Sequence, residues 1–191
     1  PDSHAALIHA VEAYWATSTQ PASEALGLQA AKFVCQNLRR AYDNGEDREA
    51  REGMMLGSLL AGMAFSQTRT TVLHAASFPL TSDFHVDHGR ACAINLIPVL
   101  RYVSGYIPEK MAAMAGFCGY ASTKEWIDAL EELMAHCGMP LSLSEVGVKE
   151  SDLSHLAFVT MSAPIAKLTP APMDEDIIRK LLAENLYSGK E

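Results

Sequence analysis

Seven histidines are spread over the 191 residues, and three of them stand where ordinary packing does not require an imidazole. His9 falls inside the uninterrupted helical pattern Ser3 to Trp15. His74 follows Arg69-Thr70-Thr71, and His88 opens Asp87-His88-Gly89-Arg90 after an irregular stretch. An imidazole binds a divalent metal through a neutral nitrogen, or carries a proton near neutral pH. Taken singly, each of the three reads first as a hydrogen-bonded core or surface residue. Arg69-Thr70-Thr71 offers a second chemistry, because an arginine and two hydroxyls at a helix N-terminus suit a phosphate or phosphonate. Its simpler reading is an N-cap beside a solvated arginine. His136 precedes Cys137-Gly138 at a helix end, where an imidazolium offsets the helix dipole. His155 has no evident partner and reads as surface or packing. Glu125, Asp128, Glu131 and Glu132 form a solvated helix face.

The elements that must position these residues are helical, because apolar residues recur at helical spacing and alternating β-branched runs are nearly absent. The expected fold is all-α, a bundle of about seven to nine helices. The first runs from Ser3 to Trp15, with Asp2 or Ser3 able to cap it. A second spans about Ser23 to Tyr42 and a third Asp47 to Phe65. The third is apolar on most faces of its second half and is expected at the bundle centre, with Gly53, Gly57 and Ala61 as a smooth face and Met54, Met55 and Met63 as core filler. A short helix from Thr70 to about Ser77 is expected to end before Pro79, followed by a loop from Leu80 to Asp87. Then come Gly89 to Ser104, kinked at Pro98, and Glu109 to Cys118, Thr123 to His136, Glu150 to Met161 and Asp174 to Leu186. The acidic turn Asp174-Glu175-Asp176 suits the last helix's N-terminus.

Composition narrows the function classes. Fifteen basic against 23 acidic residues give a net charge of -8, and no basic run exceeds Arg39-Arg40, so nucleic acid is excluded as a partner. The longest uncharged stretch, Gly53 to Thr68, is shorter than the roughly 20 residues of a bilayer span, so no membrane partner is expected. Cys35, Cys92, Cys118 and Cys137 sit in apolar contexts without a C-x-x-C pair, which suits reduced, buried thiols in a cytoplasmic protein. The chain has no initiator Met and begins within a helix, as a piece cut at a domain boundary would.

The motifs His9-Ala10-Val11-Glu12-Ala13-Tyr14, Ala61-Gly62-Met63-Ala64-Phe65-Ser66, His74 with Pro79-Leu80, His88-Gly89 and Leu143-Ser144-Glu145-Val146-Gly147-Val148 are collinear over essentially the whole chain. Together they resemble the C-terminal helical domain of the iron-dependent (group III) alcohol dehydrogenases, which has the dehydroquinate synthase-like fold. Thr68-Arg69-Thr70-Thr71 leading into His74-Ala75-Ala76-Ser77-Phe78-Pro79-Leu80-Thr81 looks most like the phosphonoacetaldehyde reductase branch. The resemblance implies that residues 1–191 form an all-helical metal-binding, catalytic domain with His9, His74 and His88 as ligands of a divalent metal. It implies a small alcohol or aldehyde substrate, NAD(P) as cofactor, and a homo-oligomer. It brings Arg69, Thr70 and Thr71 forward as a binding site for an anionic substrate group. His85, three residues before His88 in the loop, is placed to line the same cleft as a proton shuttle.

Two departures from the family pattern matter. The family aspartate, one helical turn before the first histidine, is Ala5 here, and alanine cannot ligate. Asp2 lies two turns before His9, and His4 is rotated away from it on the helical wheel. Three histidines with water make a zinc site, whereas ferrous iron usually wants a carboxylate, so zinc or an empty site is expected over iron. Phe78 stands where many relatives carry a further histidine. The family's glycine-rich phosphate loop belongs to an N-terminal α/β nucleotide-binding domain, and these residues contain no Gly-Gly pair. No residue here is therefore assigned to the nicotinamide, and the missing domain is expected as a partner. Two alternatives stand beside this reading: a metal-independent enzyme similar to maleylacetate reductase, and a non-catalytic helical binding or assembly module.

Overall fold

A computed structural model describes the backbone of residues 2–187 and side chains from residue 5 onward. The expected capping by Asp2 or Ser3, and Asp2 and His4 as substitute ligands, therefore lie outside the described side chains. Within the described residues the fold is all-α: α1 (Asp2–Trp15), α2 (Pro21–Asp43), α3 (Arg48–Thr68), α4 (Val72–Phe84), α5 (His88–Ala93), α6 (Leu96–Ser104), α7 (Pro108–Cys118), α8 (Thr123–His136), α9 (Leu153–Ser162) and α10 (Glu175–Glu184). Three short 3-10 turns lie around α9, at Leu143–Val146, Glu150–Asp152 and Pro164–Leu168. No helix among the described residues is long and apolar enough to cross a membrane.

The central helix is α1, not α3 as expected. Ala6, Leu7, Ile8, Ala10, Val11, Ala13, Tyr14 and Trp15 are all buried, which covers every face of α1. It packs against α2, α3 and α5, a setting that suits a helix apolar on nearly every face, with Glu12 as its buried charged exception. On α3, Met54 is buried, but Met55, Leu56, Leu59 and Met63 are exposed, so Met55 and Met63 are not core filler. The small-residue face does bring α2 and α3 together. A Cβ on Gly53 would stand 2.4 Å from Asn37 Nδ2, and one on Gly57 would stand 3.1 Å from Val34 Cγ2.

Helix ends follow local chemistry. Asp47 accepts from the Ala50 amide, Ser122 from Glu125 and Asp174 from Ile177, each satisfying a donor that the first turn leaves orphaned. Two proline expectations fail. Helix α4 runs through Pro79 to Phe84 and stops only where His85 takes the left-handed conformation (φ 55°). Pro79 and Leu80 are buried there, and packing of that turn outweighs the backbone bond that proline forfeits. The expected Gly89 to Ser104 helix is two helices, divided at Ile94 and Asn95 and not at Pro98. Asn185 holds the break by donating to Ile94 O and Asn95 Oδ1 at 2.8 and 2.9 Å. Pro98 falls in the first turn of α6, where its missing N–H has no helical partner to lose.

Candidate metal centre

Three elements meet at the candidate site: α1 with His9 and Glu12, the N-terminal turn of α4 with His74, and α5 with His88 and Cys92. His9 and Glu12 are three residues apart and share a face of α1. Glu12 is fully buried, a placement that requires its charge to be satisfied. Its Oε1 accepts from the Thr71 hydroxyl at 2.6 Å and from the Leu73 amide at 2.8 Å. Its Oε2 lies 2.5 Å from His74 Nδ1. Thr71 Oγ1 in turn accepts from Trp15 Nε1 at 2.9 Å.

This network sets the orientation of His74. With Nδ1 held by a carboxylate, the ring presents Nε2 to His9, whose Nε2 lies 2.9 Å away. An imidazole that gives one nitrogen to a carboxylate and turns the other inward is the arrangement that orients histidine toward a metal. Burial opposes a charge on His74, but hydrogen bonds with Cys92 and Glu12 outweigh it and raise its pKa to about 10. Burial, then the neighbouring His74, push His9 down to about 4, so His9 is neutral at neutral pH. His9 is also stacked between Phe65, 4.2 Å between ring centroids, and His74, 4.5 Å. The His88 ring lies 5.5 Å from that of His74, and His88 is solvent-exposed, so the cluster opens to solvent on the α5 side.

His9 and His88 thus both meet His74, but the trio whose ligand atoms converge is a different one. Among the described residues, His74, His88 and Cys92 place their ligand atoms all within 4.8 Å of one another. His9 touches this group through His74. Two participants were missed by sequence reasoning. Cys92 looked like a small core residue, although His88-x-x-x-Cys92 puts both side chains on one helix face. Glu12 gave no signal beyond its spacing from His9, because its partners come from residues about 60 positions away.

The donor set fits a divalent metal. Imidazole nitrogens and a thiol are ligands that zinc and its neighbours accept, His74 releasing its Nε2 proton as an ion binds; the His9–His74 separation of 2.9 Å is shorter than the tetrahedral nitrogen–nitrogen edge of about 3.3 Å implied by normal zinc–nitrogen lengths, so the two rings would part slightly around an ion.

The anion expectation at the start of α4 changes form. That helix N-terminus does receive an anion, but it is the internal carboxylate of Glu12. The Leu73 amide bonds to it, the Val72 amide is taken by Thr169 Oγ1 at 3.2 Å, and the Thr71 hydroxyl is buried in the same network. Thr71 thus supports Glu12 from within this network. Arg69 is exposed and Thr70 half-buried. Arg69 adopts φ 65° and ψ -179°, a strained backbone for a non-glycine residue. The turn is held by Arg69 N to Phe65 O (2.7 Å), Thr68 Oγ1 to Arg69 O (2.9 Å) and Ser18 Oγ to Thr68 O (2.7 Å). His85 is exposed at the end of α4, and Phe78 is exposed one turn after His74. His136 is at the α8 terminus as expected, paired with Asp43 at 2.5 Å. His155 does have a partner, Asp83, at 3.0 Å.

Residues 3–186 match the model of the Fe-containing alcohol dehydrogenase family, C-terminal, and the chain belongs to that family. Among its relatives, the chain is 34% identical to long-chain-alcohol dehydrogenase 1 of Geobacillus thermodenitrificans over 96% of its length and 49% of the relative's. It is 33% identical to sulfoacetaldehyde reductase of Bilophila wadsworthia over 94% and 49%. Its fold is similar to that of a crystal structure of 1,3-propanediol oxidoreductase, with a TM-score of 0.92 at 33% identity, covering 96% of this chain and 50% of that one. The chain spans about half the length of the curated relatives it matches.

Proposed function

We propose that this chain is the metal-binding, catalytic half of an NAD(P)-dependent alcohol dehydrogenase or aldehyde reductase, with the metal held by His9, His74 and His88. The observation that carries the reading is the buried Glu12 carboxylate on His74 Nδ1, which aims His74 Nε2 at His9. Bound there, a divalent ion supplies Lewis-acid polarisation of a substrate oxygen, while NAD(P), held by a separate N-terminal α/β domain, gives or takes the hydride. The chain's own residues do the rest. Glu12 fixes the ring of His74, Phe65 and His74 sandwich His9, and exposed His88 stands at the side from which substrate enters. His85 is the candidate to move a proton between substrate and solvent.

The substrate class is a small aldehyde or alcohol, with aldehydes bearing a phosphonate or sulfonate favoured. The strained, exposed Arg69 supports this, together with Thr70 beside it. The relative named sulfoacetaldehyde reductase supports it further. The exposed stripe Met55, Leu59 and Met63 on α3 is an apolar surface for the N-terminal domain or a second copy. The four free cysteines suit the reducing cytoplasm.

The test is metal retention by the full chain. After exposure to zinc or iron(II) and desalting, the protein should keep about one ion per chain, and His74→Ala should keep none. Failure of the unmodified chain to retain either ion would refute the metal-dependent reading and favour the metal-independent one.

A further inference from the structure

We infer that Cys92 is a ligand of the same metal, so that a thiolate completes the set and the site is built for zinc. The inference rests on the metal-dependent reading above and goes beyond it in naming a fourth donor and the ion it selects.

Three neutral imidazoles bring no charge to a divalent ion. The position one turn before His9 on α1 is Ala5, which has no donor atom. Glu12 is the nearest carboxylate in the network, and both of its oxygens are engaged, by Thr71 and Leu73 on one side and His74 on the other. Cys92 remains. Its Sγ lies 3.6 Å from His88 Nε2 and 3.8 Å from His88 Nδ1, and it belongs to the group with His74 and His88 whose ligand atoms all fall within 4.8 Å. In a tetrahedral zinc site, zinc–sulfur and zinc–nitrogen lengths of about 2.3 and 2.05 Å make the sulfur–nitrogen edge about 3.6 Å. The separation from His88 Nε2 has that length. Cys92 is one helical turn after His88 on α5, which fixes the two donors on one face.

Its burial also sets it apart. Cys92 is fully buried while His88 is exposed, so the sulfur stands on the protein side of the cluster and leaves the open side to substrate. On binding, the thiol loses its proton to solvent, and the resulting thiolate supplies one negative charge beside the ion. A thiolate favours zinc over the oxygen-preferring ions.

Cobalt(II) loading of the full chain tests this without an activity assay. The unmodified protein should show the near-ultraviolet thiolate-to-cobalt charge-transfer absorption, and X-ray absorption of the zinc form should show one sulfur at about 2.3 Å. Cys92→Ser and Cys92→Ala should lose the absorption, retain the visible bands of a nitrogen-bound ion, and bind zinc more than about 100-fold more weakly, beyond the range seen for losing a supporting residue. Should both variants fail to fold, the zinc absorption spectrum of the unmodified chain decides alone. A bound ion without a sulfur neighbour, or charge transfer that persists in Cys92→Ser, would overturn the inference and leave the three-histidine site standing. Absence of any bound ion in the unmodified chain would overturn both.

Discussion

Replacing Glu12 by glutamine keeps the shape of the side chain and removes one acceptor. Three donors converge on the carboxylate: the Thr71 hydroxyl, the Leu73 amide and His74 Nδ1. A glutamine amide has one acceptor oxygen and one NH2 group. If its oxygen keeps Thr71 and Leu73, its NH2 must donate to His74 Nδ1, and the ring proton moves to Nε2. That atom is the one facing His9 at 2.9 Å, so a metal would lose its lone pair. The expected cost in metal affinity is about 10- to 100-fold, or about 1.4 to 2.7 kcal/mol. Folding stability should also fall. Hydrogen bonds to a charged group contribute about 1.5 to 3 kcal/mol each, and relief of a buried charge offsets part of this, so a net loss of about 1 to 3 kcal/mol is expected. At 2 to 4 °C per kcal/mol for a chain of this size, Tm should drop by about 2 to 12 °C. Competition against a chromogenic chelator reads the affinity, and nitrogen-15 NMR of His74 reads the tautomer. Affinity within twofold of the unmodified protein, with the proton still on Nδ1, would refute the claim that Glu12 orients the ligand.

Three further outcomes follow from the fold. Gly53→Ala should destabilise by about 1 to 3 kcal/mol, read by denaturant unfolding, because its Cβ would meet Asn37 Nδ2 at 2.4 Å and Asn37 is held to Phe33 O at 2.8 Å; an unchanged midpoint would show that α2 and α3 separate freely. Arg69→Gly should stabilise by about 1 kcal/mol by relieving the φ 65° backbone, while weakening the proposed binding of phosphonate- or sulfonate-bearing aldehydes. Equal binding by both forms would remove Arg69 from the substrate site. Asp47, held below its ordinary 3.8 by the Ala50 amide and then by Arg40, stabilises the fold above that value, and the stability is lost as pH falls through its lower folded pKa. Thermal melts between about pH 5 and pH 3 should therefore decline more steeply in the unmodified chain than in Asp47→Ala; parallel slopes would show that the cap contributes no pH dependence.

Most of the fold was legible because helices announce themselves locally. The apolar spacing of Thr123 to His136 gave α8 with its ends in place, and Asp174 caps α10 from the position just before its first turn. Local signals failed where tertiary burial competed with them. Pro79 should break a helix by itself, yet α4 passes through it because that turn is packed inside. Apolar content alone put α3 at the centre, but only assembly shows that α1 is enclosed and that Met55 and Met63 face out.

The site divides in the same way. Residue types and order, read against a family pattern, singled out His9, His74 and His88, because imidazoles at marked positions are visible in one dimension. What tertiary structure alone decided is who supports them. Glu12 reaches across about 60 residues to seat itself at the N-terminus of α4, where Thr71 donates to it, and turns His74. Cys92 reads in sequence as a small apolar residue and becomes a donor only when α5 lies beside His74. Hydrogen-bond partners and coordination neighbours are fixed by distances between distant segments, and those distances exist only once the core of α1 has been buried.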